Sequence, residues 1–545
     1  MAPPTFAGLS GNRLSWAIST VATTGFLLFG YDQGVMSGII AAPAFNEYFP
    51  ETYGKTMQGL VTAIYEIGCL AGAMFILATG DLLGRRKAMI LGGFIMILGV
   101  IIQITCVKGH SQLAQLIVGR IITGVGNGIN TSTIPTYQAE CSKTTNRGLL
   151  ICIEGGVIAF GTLIAYWIDF GASYGSDDLV WRFPIAFQVL FGLVLCLCMP
   201  FLPESPRWLL THERYEEAEK TLAAIRGYEI DSPETKTERD TILDSIRSSG
   251  LISGQKSTPI KALFTGGKTQ HLRRLLLGSG SQFMQQVGGC NSVIYYFPIL
   301  FRTSLNTSEN TSLLIGGVFM IVYSIFATGS WFLIERVGRR RLLLWGTAGQ
   351  MSSMILTFAC LIPGTESASK GAAVGLFLYI AAFGATWLPL PWLYPAEINP
   401  IKTRGKANAV STCTNWLFNF LIVMVVPDMI DKISWGTYLF FACTNACFFP
   451  IIYFFYPETA NRSLEEIDII FAKGFVENIS YVKAAKNLPF LSQAEVEAEA
   501  VRLGLVDGAS RGAIDEKAPA DDSGETTIRE TDSGSEKGRS ERDEN

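Results

Sequence analysis

Charge is scarce in this chain of 545 residues: 17% of its side chains are Asp, Glu, Lys or Arg, against about 25% in an ordinary soluble domain. The scarcity is also uneven. Residues 203–274 carry 23 charged side chains and residues 475–545 carry 25, which leaves 42 for the other 402 positions. Stretches that poor in charge, written as apolar runs of twenty or so residues, exclude a soluble enzyme, because each run matches the length needed to cross about 30 Å of hydrocarbon. Histidine is scarcer still. His110, His212 and His271 fall in loops or at a span edge, so no triad or histidine-based metal cluster supports an enzyme. The eleven cysteines stand singly, nearly all inside apolar runs, without zinc spacing or a disulfide ladder; they read as small packing residues, and neither a metal nor a cofactor is expected. No polybasic stretch argues for nucleic acid. The net charge of −4 reflects the last 71 residues, with 9 basic and 16 acidic side chains.

What the sequence does contain is a series of apolar spans. They lie near 15–39, 57–79, 88–106, 113–135, 149–170 and 183–202, and again near 272–301, 313–334, 343–362, 371–396, 406–427 and 434–455. The fold class expected is an all-α polytopic membrane protein with twelve transmembrane helices in two six-helix halves. The first run lacks a charged region ahead of it and a small-residue cleavage site, so it reads as a retained helix. The domains expected are an N-terminal segment 1–14, a six-helix bundle 15–202, a helical insert 203–271, a second bundle 272–456 and a tail 457–545, disordered from about 508. Short loops on one face hold Arg85, Arg86, Lys87, Lys143, Arg147, Arg336, Arg339, Arg340, Arg341, Lys402, Arg404 and Lys406. The opposite loops hold only Lys55, Lys108, Arg182, Arg302, Lys370 and Lys432. The positive-inside rule then puts both termini and the insert in the cytoplasm. Sequons at Asn306 and Asn310 face outward and are candidate glycosylation sites.

The two halves repeat. Asp81 to Lys87 matches Glu335 to Arg341 at an offset of 254, and Pro203-Glu204-Ser205 matches Pro457-Glu458-Thr459 at the same offset. Glu140 to Arg147 recurs as Glu397 to Arg404, displaced by 257. Such parallel repeats mark transporters whose halves are related by an axis along the membrane normal. The repeated charges, Asp81, Arg85, Arg86, Glu140, Arg147, Glu204, Arg207, Glu335, Arg339, Arg340, Glu397, Arg404 and Glu458, read as a cytoplasmic gating network holding the halves together, or as loop anchors that enforce topology.

Inside the spans, Asp32 sits in the first and Arg120 in the fourth. An ionised carboxylate at that depth costs roughly 2.5–3.5 kcal/mol, so it is protonated or paired. Glu66 and Glu154 are further intramembrane acids whose roles the sequence leaves open. A sugar offers hydroxyls that both donate and accept, plus an apolar ring face, and amides with aromatics match it. Gln285, Gln286, Asn291, Trp392 and Asn415 supply that chemistry.

Taken together, Gly119-Arg120, Asp81 through Arg86, Pro135-x-Tyr137-x-x-Glu140 with Arg147-Gly148, Pro203-Glu-Ser-Pro-Arg207, Gln285-Gln286 with Asn291, Tyr295-Tyr296, Pro391-Trp392, Asn415-Trp416 and Pro457-Glu-Thr resemble the sugar porter family of the major facilitator superfamily. Phe29-Gly-Tyr-Asp32, Ile153-Glu154-Gly155 and Ala165-Tyr-Trp-Ile-Asp169 are similar to a fungal branch that holds hexose transporters and a glycerol/proton symporter. The resemblance implies a plasma-membrane importer of monosaccharides, chiefly glucose with xylose as a further sugar, working by alternating access as a monomer. A polyol/proton symporter is the alternative, and a facilitative uniporter or a sugar receptor ranks below it. It also implies that Asp32 and Arg120 couple protons as a switchable pair, the alternative being a permanent structural ion pair. It further implies that Gln285, Gln286, Asn291, Trp392 and Asn415 line the sugar site, and that Tyr295 and Tyr296 form the outer gate. Two positions depart from the family pattern, Gly155 and Tyr323, where hexose porters carry amides.

Overall fold

The computed structural model describes residues 3–142, 147–248, 260–305, 308–400 and 403–505. The expectations on Lys143, Asn306, Lys402 and the segment from about 508 lie outside these residues, as does the side chain of Arg147. The chain folds as an all-α membrane protein of twelve spans. The first six helices are Gly11–Ile39, Lys55–Leu83, Arg85–Ile104, Gln112–Cys141, Arg147–Ala172 and Asp177–Cys198. After the insert come the seventh span in two pieces, His271–Val287 and Cys290–Leu305, then Glu309–Val337 and Arg339–Leu361. The tenth span is also divided, into Glu366–Ala382 and Leu390–Ile398, and Arg404–Ile433 and Gly436–Phe455 complete the set.

Among the described residues ten spans, the tenth taken as one run over Ser367–Ile398, are long and apolar enough to cross a bilayer. The fourth span falls short because it buries Arg120, Asn127 and Asn130, and the seventh because it breaks at Gly288 and Gly289. The halves meet along two seams related by the repeat, the second span against the eleventh and the fifth against the eighth. Within each half, glycines let backbones touch: Gly124 and Gly128 lie against the backbone of Tyr65 and Cys69, and Gly30 lies against Ile158. Such close approach is how helices associate where lipid removes the hydrophobic drive.

The insert forms helices Pro206–Thr211, Tyr215–Arg226 and Pro233–Ser248 at one end of the bundle. The tail is more ordered than its composition suggests. Helices Leu464–Val476, Tyr481–Asn487 and Gln493–Arg502 build a small core of their own around Ile469, Ile470, Ala484 and Leu488. Ser463 with Glu466 and Ser492 with Glu495 form capping boxes that start two of them, each satisfying two otherwise orphaned backbone groups. Asp468 pairs with Arg274 and ties this domain to the seventh span.

Candidate functional site

Prolines create the polar surface of the second half. A proline has no N–H for the carbonyl four residues earlier, so that oxygen must find another donor. Pro391 frees the carbonyl of Trp387, which accepts from Gln285 Nε2 at 2.8 Å. Pro395 frees that of Pro391, which accepts from Gln282 Nε2 at 2.7 Å. The tenth span relaxes into a π turn over Phe383–Trp387 just before this point. Pro427 likewise frees Val423, whose oxygen accepts from Tyr296 Oη at 2.7 Å. Pro298 frees Ile294, and Tyr166 from the other half donates to it.

The glutamines so anchored present their oxygens to the eleventh span. Asn415 Nδ2 donates to Gln282 Oε1 at 2.6 Å and to Gln285 Oε1 at 3.1 Å. Asn291 Nδ2 donates to Gln286 Oε1 at 2.8 Å and to Asn419 Oδ1 at 2.7 Å. This amide chain borders a central cavity lined by Gln285, Gln286, Asn291, Trp392 and Asn415, together with Gln33, Phe29, Ile158 and Tyr323. The structure therefore brings all five residues proposed for the sugar site to one cavity. Trp416, next to Asn415, packs edge-on against Phe29 with ring centroids 5.2 Å apart. The cavity combines amide donors and acceptors with aromatic faces, which suits a small polyhydroxylated solute.

The charged cluster sits in the first half. Asp32, Glu66 and Arg120 are each at most 1% exposed. Asp32 Oδ2 accepts from Tyr65 Oη at 3.1 Å. Arg120 Nη2 donates to the carbonyl of Thr62 at 3.1 Å, and its guanidinium carbon lies 5.4 Å from the Tyr65 ring centroid. The direct Asp32–Arg120 pair expected from the sequence is absent among the described residues in this conformation. Tyr65 occupies the place between them, held there by a hydrogen bond from Asn127. Tyr295, expected at the outer gate, donates to Glu66 Oε1 at 2.8 Å and so joins the two halves.

Further contacts join the halves at the end of the bundle opposite the insert. Thr56 Oγ1 donates to Asp428 Oδ2 at 2.9 Å, and Gly59 abuts the backbone of Met424. At the insert end the repeated charges pair inside their own halves. Arg85 bonds Glu140 at 3.1 Å and Asp81 at 3.2 Å. Arg339 bonds Glu397 at 2.7 Å and Glu335 at 2.9 Å. Glu204 and Glu458 accept from the backbone N–H groups of Arg85 and Arg339 at 3.0 and 2.8 Å. These pairs thus bind helices within a half, not one half to the other. Arg86 donates to Leu202 O and Arg340 to Tyr453 O. Arg404 donates to Asn399 O and Arg207 is half-buried. Asn310 is exposed at the opposite end, where Ser173 Oγ donates to its side chain at 3.4 Å.

Sequence reasoning missed Gln282, Asn419 and Asn127. The signal was present for two of them: Gln282 lies three residues before Gln285 and Asn419 four after Asn415, so each shares its helix face.

Comparison with known proteins agrees with this arrangement. Residues 17–471 match the family model described as "Sugar (and other) transporter". The chain is 44% identical over 532 residues to the sugar transporter STL1 of Saccharomyces cerevisiae, covering 96% of this chain and 91% of that one. It is 30% identical to the low-affinity glucose transporter HXT1 of the same yeast, covering 86% and 83%. Among solved structures, the proton:xylose symporter XylE bound to 6-bromo-6-deoxy-D-glucose is similar, with a TM-score of 0.71 and 25% identity over 84% of this chain and 99% of that one. The chain belongs to the sugar porter family of the major facilitator superfamily, and is a multi-pass membrane transporter rather than an enzyme.

Proposed function

We propose that this protein is a proton-coupled importer of monosaccharides in the plasma membrane, with both termini and the insert cytoplasmic. The observation that carries the reading is one of placement. Amides and aromatics line a central cavity from the second half, while three buried ionisable groups, Asp32, Glu66 and Arg120, stand beside it in the first. A buried charge in a membrane is expensive and marks an ion pathway. The resemblance to proton-coupled sugar porters, which pair an acid and an arginine at the positions of Asp32 and Arg120, supports the same reading. Protonation of Asp32 removes the negative charge that competes for Arg120, and solute bound to the amides then permits closure of the outer end. Alternating access is a rocking of the halves about the two seams. The chain acts as a monomer.

A second reading, transport of a polyol such as glycerol, has an observation of its own. The first half adds only one amide to the lining, Gln33, beside the apolar Phe29 and Ile158, and Gly155 offers no side chain. A solute with fewer hydroxyls needs fewer partners. Uptake of labelled glucose, xylose and glycerol by a transporter-null host, with external pH recorded, separates the readings. Alkalinisation on glucose or xylose supports the first, and alkalinisation on glycerol alone supports the second. Uptake without any pH change refutes proton coupling.

A further inference from the structure

Glu66 is an intramembrane carboxylate that the sugar site does not use. It is fully buried in the second span, one residue from Tyr65, which bonds Asp32. Its Oε1 accepts from Tyr295 of the opposite half at 2.8 Å. Its Oε2 has no partner within hydrogen-bond geometry, and neither has Arg120 Nε in the fourth span; Asn419 of the eleventh span stands close to the carboxyl, its Nδ2 likewise outside that geometry. The groups that surround Glu66 are Asp32 from the first span, Tyr65 and Cys69 from its own, Arg120 from the fourth, and Cys290 and Tyr295 from the seventh. One cation therefore serves two carboxylates. In a low dielectric each unpaired buried polar group is costly, so a rearrangement that gives it a partner is favoured.

The element on the other side of the contact is built to move as a unit. Tyr295 sits one helical turn after Asn291, on the short helix Cys290–Leu305, so the residue that touches Glu66 and the residue that joins the amide chain share a rigid body. That helix starts at Gly289, whose φ of +100° suits glycine and marks a hinge. The carbonyl of Gly288 is pinned by Tyr379 at 2.9 Å and Asn445 at 3.1 Å. The turn is thus fixed on the Gly288 side, while the helix after it is held across the halves by Tyr295 and by the Tyr166 bond to Ile294 O.

We propose that Glu66 is the positioning residue that carries the state of the Asp32–Arg120 site to the outer closure, by latching Tyr295 across the halves. A proton on Asp32 leaves Arg120 to compensate Glu66 alone. The ionised Glu66 then accepts a charge-assisted hydrogen bond from Tyr295, and such bonds are about twice as strong as neutral ones. Loss of that proton returns Arg120 to Asp32 and loosens the latch. Asn419 passes the same change to Asn291 and so to the solute. This proposal rests on proton coupling through Asp32 and Arg120.

The test uses full-length protein in lipid nanodiscs, with the exposed Cys198, Cys443 and Cys447 changed to Ser. Spin labels at Tyr53→Cys and Asp431→Cys, both exposed at the closed end, report the separation of the halves. In the parent protein the closed population rises as pH falls. Glu66→Gln keeps an acceptor for Tyr295 but not the charge, and is expected to flatten that pH dependence at least fivefold. Glu66→Ala and the conservative Tyr295→Phe are expected to lower the closed population severalfold at every pH. A closed population in both variants equal to the parent's, or a Glu66→Gln protein that responds to pH like the parent, overturns the proposal. Solute-driven alkalinisation by the parent protein in liposomes tests the underlying reading alone. A parent that moves no protons, but opens in Glu66→Ala, overturns proton coupling and retains the latch.

Discussion

In the first half, Glu204 accepts from the backbone of Arg85 while Arg85 holds Glu140 and Asp81; in the second, Glu458, Arg339, Glu397 and Glu335 repeat the arrangement contact for contact. Even the hydroxyl partners correspond: Ser205 and Thr459 donate to Glu140 and Glu397, and Tyr137 and Tyr394 donate to the carbonyls of Pro203 and Pro457. At the centre the correspondence ends. The first half places Asp32, Glu66 and Arg120 there, and the second places Gln282, Gln285, Asn291 and Asn415. The ends that hold each half's own helices together are symmetric. The centre is asymmetric, with ionisable groups in the first half and amides in the second.

The sharpest way to break this division is at the charged centre. One proton moving through 100 mV carries about 2.3 kcal/mol, and one pH unit adds about 1.4 kcal/mol. Together they sustain roughly two to three decades of solute accumulation. Asp32→Asn is expected to bring the steady-state ratio to about one while exchange of labelled solute persists. Uphill uptake at the parent level in that variant would place the coupling elsewhere.

The amide side is probed by Asn415→Ala, which leaves the oxygens of Gln282 and Gln285 without their shared donor. An unsatisfied buried acceptor costs about 1–3 kcal/mol, so the half-saturation concentration should rise roughly five- to 150-fold. The number of protons per solute should not change. A change in stoichiometry would show that the two chemistries are not divided between the halves.

The symmetric ends call for a paired measurement. Gly84 and Gly338 have φ of +80° and +94°, and a Cβ would lie 2.7 and 2.6 Å from the carboxylates of Glu204 and Glu458. Gly84→Ala and Gly338→Ala should each cost about 1–3 kcal/mol, read as similar drops in thermal denaturation midpoint in detergent. Clearly unequal drops would mean that one network holds its half together more than the other. The smallest effect is expected from Tyr296→Phe, which removes one hydrogen bond to Val423 O, about 1 kcal/mol. It should shift outer-end closure by about fivefold, and measurably less than Tyr295→Phe, which also frees a carboxylate.

Much of this architecture is legible in the order of residues along the chain. Apolar runs near twenty residues locate the spans, because bilayer thickness sets helix length. The repeat at an offset of 254 finds the paired networks, because both halves solve one mechanical problem at their helix ends. Asp32 and Arg120 stand out because charge inside a membrane is costly. Their partners are not legible. Tyr65 lies between Asp32 and Arg120, and Tyr295 meets Glu66 across 229 positions of sequence, so neither relation leaves a local pattern. The tail helices are also hidden. Their apolar positions, Ile469, Ile470, Ala484 and Leu488, are spread among charges and bury only when three short helices pack together.

By itself, then, the sequence determined the membrane class, the twelve spans, the two-fold repeat and the residue types at the centre, since hydrophobic length and charge scarcity act locally along the chain. Tertiary structure alone decided which donor takes each carbonyl that a proline sets free, and that Tyr65 stands between Asp32 and Arg120. Those choices depend on helices far apart in sequence that lie side by side in the bundle, where a buried polar group must find its partner in space.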